Sequence, residues 1–274
     1  MKRRIFYLGI LIAISTVSYS QSLTKVWTTT DGLKTPESAL YDDVTKSIYV
    51  TNIDGNHSEK DGNGFVSVLN TDGKMKNLRW VTGLNAPKGQ AISNGNLYVA
   101  DIDELIVISI KEAKITNRYK IENAKFLNDV TADEDGTVYV SDMKDHKIYA
   151  LADGKITLWL DDIQLENVNG LWTEKGQLFA GNASILQIDI KTKSIKALVE
   201  NCGGIDGLEK LKDGNFIYSN WQGRIFITKG TESVKLLDTV DKQNTADIDF
   251  LPGENLVLVP TFSGNSLEAY SLKL

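Results

Sequence analysis

The sequence predicts an all-β chain folded as a six-bladed β-propeller, and three observations carry that prediction. Apolar residues alternate or cluster over four to six positions between Gly, Asn and Asp, with no sustained helical periodicity. Six short runs rich in β-branched and aromatic residues recur along the chain: SIYVTN (47–52), NLYVAD (96–101), TVYVSD (137–142), QLFAGN (177–182), NFIYSN (215–220) and NLVLVP (255–260). Shortly ahead of each stands one member of a polar column, Glu37, Lys88, Asn128, Asn169, Asp206 or Asp247. The column repeats at spacings of 51, 40, 41, 37 and 41 residues, close to one four-stranded blade.

The elements follow in order. Lys2, Arg3 and Arg4 precede an apolar run at 5–14 and a small-residue stretch ending at Ser20, which reads as a secretory signal peptide over 1–20. The run is short for a membrane span, and no second one follows. The remainder, 21–274, is expected to form a single exported domain, periplasmic or secreted. In each blade the innermost strand follows the column residue. A tight turn comes next, at 42–46, 93–95, 133–136, 174–176, 212–214 and 252–255, with Asp135-Gly136 and Asp213-Gly214 the clearest hairpin signals. Third and fourth strands read at 147–151 and 156–160, joined by Asp153-Gly154, and at 185–190 and 195–199. Blade six shows a third strand at 267–272, and its outer strand is assigned to 24–29. That pairing closes the ring and leaves no open sheet edge.

Composition narrows the function. The formal net charge is −6, and loss of Lys2, Arg3 and Arg4 with the leader makes it −9. Such a surface repels phosphate backbones, and without a basic amphipathic helix it offers no hold on a membrane, so neither nucleic acid nor a bilayer is the expected partner. The lone Cys202 has no partner for an internal disulfide, and a chain 42% hydrophobic can supply its stability from the core.

In a closed ring the column residues point at one axis. Glu37, Asn128, Asn169 and Asp206 offer two carboxylates and two amide carbonyls, hard oxygen donors that suit Ca2+ first, with Mg2+, Mn2+ or Zn2+ as alternatives. Without a cation, two carboxylates buried together would repel and lose hydration. Lys88 has three readings: a contact to a substrate carboxylate, help to an oxyanion, or an ion pair with Asp247. Asp101, Asp142, Asn182 and Asn220 end second strands and read as loop caps, with Asp142 the best placed to support the site or touch substrate. Trp172, Trp221 and Phe262 are either an apolar rim or blade packing. His57 falls in a polar loop at 54–64 expected to be solvated, His146 in another loop, and Cys202 reads as a packed thiol.

The motifs Pro36-Glu37, Asn128-Asp129, Asn169-Gly170-Leu171 and Asp206-Gly207-Leu208 resemble, in order and at blade spacing, the gluconolactonase, senescence-marker-protein and luciferin-regenerating family, with a more distant likeness to paraoxonases. The resemblance spans the chain beyond the leader. It implies a six-bladed propeller with one axial divalent metal held by Glu37, Asn169 and Asp206. Asn128 lies beside the metal as a further ligand or substrate contact, and the activity is hydrolysis of a small lactone or ester. On that reading Asp206 serves as base, or Asp247 as a second acid. Substrate contacts come from Lys88, Asn128, Asp142, Trp221 and Phe262. Family members acting on sugar lactones commonly carry an arginine two residues before Asn128, where this chain has Phe126. A non-catalytic propeller that binds a small ligand or partner around a structural metal is the other reading.

Overall fold

The computed structural model describes residues 21–274. The expected leader, 1–20, lies outside the described residues. After β1 (Ser22–Thr29), blade one holds β2 (Pro36–Asp42), β3 (Ser47–Asn52), β4 (Gly64–Asn70) and β5 (Met75–Leu84). Blade two holds β6 (Pro87–Ser93), β7 (Asn96–Asp101), β8 (Glu104–Ser109) and β9 (Lys114–Lys120). Blade three holds β10 (Leu127–Ala132), β11 (Val138–Asp142), β12 (Lys147–Ala152) and β13 (Lys155–Asp161). Blade four holds β14 (Leu171–Glu174), β15 (Gln177–Gly181), β16 (Ile185–Asp189) and β17 (Ile195–Val199). Blade five holds β18 (Leu208–Lys210), β19 (Phe216–Asn220), β20 (Arg224–Lys229) and β21 (Glu232–Asp238). Blade six holds β22 (Asp249–Leu251), β23 (Leu256–Pro260) and β24 (Leu267–Lys273). Its fourth strand is β1, which runs antiparallel to β24 with Ser22 opposite Lys273 and Thr29 opposite Leu267.

All six sheets are antiparallel meanders stacked face to face around an axis, so each second strand is covered on both sides. That is why SIYVTN is buried at every position and reads as a continuous run instead of an alternation. The outer strand β9 meets water, and only Ile115 and Tyr119 are partly covered among its residues. Between each pair of blades lies an apolar layer: Val66, Val99 and Ile106 between blades one and two, Phe179, Ile205 and Tyr218 between four and five, and Ile225, Ile248 and Val257 between five and six. Each such side chain contributes roughly 1.5–3 kcal/mol on burial. These layers, not the hub, hold the ring together.

At the hub the innermost strands converge until backbone meets backbone. A Cβ on Gly170 would stand 2.4 Å from the carbonyl oxygen of Asp206, and one on Gly207 would stand 2.3 Å from the amide nitrogen of Ile248. Glycine follows the column residue at these points because no side chain fits there.

Candidate active site at the propeller hub

A repeated backbone irregularity aims the column residues at the axis. Pro36 pairs with Asn52 and Ala39 with Val50, so the first strand of blade one carries one extra residue, a bulge that contains Glu37. The same shift recurs between Pro87 and Gln90, around Lys88, and between Leu127 and Val130, around Asn128. Bulges turn a side chain out of the ladder at the cost of a displaced backbone N–H. Hydroxyls on the second strands accept the displaced donors: Thr51 from Ser38 at 3.0 Å, Ser141 from Asp129 at 2.9 Å and Ser219 from Gly207 at 2.9 Å.

Five of the six column residues, Glu37, Lys88, Asn128, Asn169 and Asp206, line one pocket of about 410 Å³. Its walls add Ile53, His57, Phe126, Met143, Lys144, Trp221 and Phe262. The two rim aromatics meet edge to face, with Trp221 and Phe262 ring centres 5.8 Å apart. Trp172, the third aromatic considered for the rim, packs instead against Phe179 inside the layer between blades four and five.

The floor supplies oxygen donors. Glu37 Oε2 is buried and meets no hydrogen-bond donor. Asn169 donates its amide to Asp206 Oδ1 at 2.8 Å, and Asn128 turns its amide nitrogen toward the Met143 sulfur at 3.5 Å, leaving both amide carbonyls as acceptors. Burial, and then Asp206, push the Glu37 carboxyl well above its ordinary range, with Lys88 opposing. Burial lifts Asp206 to about 7 against the pull of Asn169. Two carboxylates held this far from their solution values form a site that favours added positive charge. Among the described residues no three His, Cys, Asp or Glu side chains cluster to hold a metal, so a cation here would depend on the two asparagines as well as the two acids.

Lys88 is buried to 2% exposure and lines this pocket. Its ammonium donates to Ala86 O at 2.9 Å and sits 4.5 Å from the centre of the Phe126 ring. Burial lowers its pKa, and Glu37 and Asp101 oppose that. The ion pair with Asp247 is not formed. Asp247 is absent from the pocket wall and lines a separate cavity of about 30 Å³ further along the axis, with Gln90, Asp129, Glu209 and Asp249. A catalytic role for Asp247 is corrected accordingly: it stands behind Glu37, whose carbonyl accepts its backbone N–H at 2.9 Å. Burial, then Asp129 and Glu37, raise it well above the ordinary carboxylate value.

Asp142 is also corrected. Fully buried, it spends both oxygens on backbone N–H groups, Oδ2 on Lys125 at 2.7 Å and Oδ1 on Phe126 at 2.9 Å, and it does not reach the pocket. Asp101 holds Asn85 and Ala86 in the same way, as a loop cap. Cys202 is buried and points its thiol at Val199 O.

The loop that carries His57 is exposed over 55–63, as expected, and it brings the imidazole to the edge of the pocket, its ring centre 5.8 Å from that of Phe126. Desolvation, then Lys88 and Lys144, lower its pKa. The loop carries no periodicity, and the sequence holds no signal that it reaches the pocket. Asp129 is the other residue whose role sequence reasoning misses. It is buried beside Asn128, accepts from Leu171 N–H at 2.6 Å, and is lifted to about 8 by burial.

No protein-family model matches the chain, and no curated protein matches it in sequence. Solved structures do match. Catalytically inactive virginiamycin B lyase from Staphylococcus aureus with quinupristin superposes at a TM-score of 0.66 and 13% identity, covering 93% of this chain and 100% of that one. A provisionally assigned gluconolactonase superposes at 0.65 and 14%, covering 92% of each chain. The WD40 propeller domain of Doa1 gives 0.64 and 11%, covering 85% and 77%. At such identities the likeness speaks for architecture. The chain has the propeller fold shared by these proteins, the gluconolactonase structure among them, as its hub motifs led one to expect.

Proposed function

We propose that this chain is an exported, divalent-cation-dependent hydrolase of a small lactone or ester. The observation that carries the reading is the convergence of Glu37, Asn128, Asn169 and Asp206, with the bare Glu37 Oε2, at the floor of a pocket walled by Ile53, Phe126, Trp221 and Phe262. Two carboxylates and two amide carbonyls from four blades fit a hard cation, Ca2+ before Mg2+, Mn2+ or Zn2+. When bound, such a cation supplies Lewis-acid polarisation of a carbonyl. Export rests on the basic and apolar pattern of residues 1–20.

The residues of the chain account for the rest. Trp221, Phe262 and Ile53 take up the apolar body of the substrate and exclude water. Asp206, at the floor, takes a proton from the attacking water through an oxygen that the cation does not hold tightly, because a firmly coordinated carboxylate is a poor base. His57, at the edge of the same pocket, is a second group that can exchange a proton with substrate or water.

Turnover of aldonolactones, aliphatic lactones and aryl esters, measured with Ca2+, with Mn2+ and with chelator, tests the reading. Cation-dependent turnover is expected, lost in Asp206→Asn together with Ca2+ stabilisation. His57→Gln is expected to keep Ca2+ stabilisation whatever its effect on rate. Clear ligand-induced stabilisation without turnover of any substrate would replace the hydrolase with a binding propeller.

A further inference from the structure

The wall facing the acids is cationic, and among the described residues no carboxylate forms an ion pair with its two ammoniums. Lys88 and Lys144 both point at the ring of Phe126, with their ammonium nitrogens 4.5 and 4.3 Å from its centre, so they lie within about 9 Å of each other. Other lysines of this chain end on acids: Lys60 on Asp103 at 2.6 Å, Lys147 on Asp145 at 2.5 Å and Lys210 on Glu174 at 2.6 Å. Among the described residues neither Lys88 nor Lys144 has such a partner. Lys88 is the more telling of the two, because a buried ammonium with one carbonyl bond keeps two donors unused and is costly to desolvate.

Charge balance sharpens the point. Glu37 is the nearest compensation for Lys88 and the largest influence holding its proton on. A divalent cation on Glu37 and Asp206 would consume both negative charges, and Lys88 and Lys144 would then leave the pocket with a surplus of two positive charges. A ligand that brought its own negative group would offset part of that surplus, and the Phe126 ring on the pocket wall beside both ammoniums offers an apolar surface for its carbon skeleton.

We propose that Lys88, Phe126 and Lys144 form an anion subsite, and that the substrate is a lactone or ester bearing a carboxylate apart from its scissile bond. The substrate class rests on the hydrolase reading above; the subsite does not. Phe126, standing where sugar-lactone members of the resembled family carry arginine, is then the aromatic ring that both cations share and not the loss of a polar contact.

Calorimetry with a matched pair of unreactive ligands, cyclopentanecarboxylate and cyclopentanecarboxamide, tests this on the whole protein, once with Ca2+ and once with EDTA. The carboxylate is expected to bind at least about tenfold more tightly than the amide, the scale of one charge-assisted hydrogen bond. Lys88→Met, which keeps the buried volume, is expected to remove most of that preference. Lys144→Ala, at an exposed position that does not threaten the fold, is expected to reduce it several-fold, and in both variants amide binding should hold. Equal binding of the two ligands, no detectable carboxylate binding, or a preference that needs Ca2+ and survives both variants would overturn the subsite. Neither ligand carries an ester or lactone bond. A protein that discriminates between them yet hydrolyses nothing keeps the subsite and loses the hydrolase; one that hydrolyses neutral lactones without discriminating does the reverse.

Discussion

Asn169 reaches across from blade four to blade five and donates to Asp206 Oδ1 at 2.8 Å. This is the hydrogen bond that opposes the burial of Asp206, and it is not enough: the carboxyl still titrates at about 7. The hub therefore stores electrostatic strain that protons or cations relieve, and two of the predictions below read that strain directly.

With divalent cations chelated, the protein should be more stable in mild acid than in mild base. Burial lifts Asp249 to about 6, Asp206 to about 7 and Asp129 to about 8, and it raises Glu37 and Asp247 also. Above the unfolded carboxyl value near 4 these groups hold more protons in the folded chain than in the unfolded one, so their contribution to stability is full below about pH 4 and is lost as pH climbs toward about 8. Urea midpoints in EDTA should fall from pH 5 to pH 8. A midpoint that rises over that interval contradicts the sign.

Calcium should reverse the loss. At a concentration about a hundred times its dissociation constant it adds about 2.7 kcal/mol, read as a higher Tm. The increment should be larger at pH 8 than at pH 5, because protons compete for the same oxygens, and Glu37→Gln should lose most of it. An increment that survives this substitution places the cation elsewhere.

Asp142→Ala should destabilise by about 2–5 kcal/mol, since the backbone N–H groups of Lys125 and Phe126 would both lose their acceptor in a buried setting. Asp142→Asn, whose amide keeps one acceptor, should fall between. Denaturant titration ranks the three proteins, and equal stabilities would show that the cap matters little.

Gly207→Ala should be among the most damaging small substitutions, because its Cβ would meet Ile248 N at 2.3 Å and Asp247 Oδ1 at 2.8 Å. Gly253 lies on a turn where an added Cβ would find nothing within 4 Å, and it is the control: Gly253→Ala should change stability by no more than about 0.5 kcal/mol. Comparable thermal melts for the two variants would contradict the close approach of innermost strands.

Much of the architecture is legible in the sequence because strands covered on both faces leave long β-branched runs, and because each blade repeats its turn chemistry. The strand expected at 195–199 matches β17 to the residue, and 267–272 falls one residue short of β24. The column is legible for the same reason, since a repeat carries equivalent positions to equivalent places. What escapes depends on distances between repeats. Nothing local tells that Lys88 turns to Phe126 and away from Asp247, or that the aperiodic loop at 54–64 brings His57 to the edge of the pocket. Trp172 and Asp142 sit in blade-periodic positions like those of their neighbours, and only packing reveals that one fills a core and the other holds a loop.

The bulges at Glu37, Lys88 and Asn128 have an evolutionary corollary. Side chains turned out of the ladder take no part in strand pairing, and the apolar layers that stabilise the ring are built from other side chains. The hub is thus interchangeable hardware on a fixed chassis: three or four exchanges could retool the chemistry while every blade stayed as it is, and distant relatives are free to differ most where their purposes are decided.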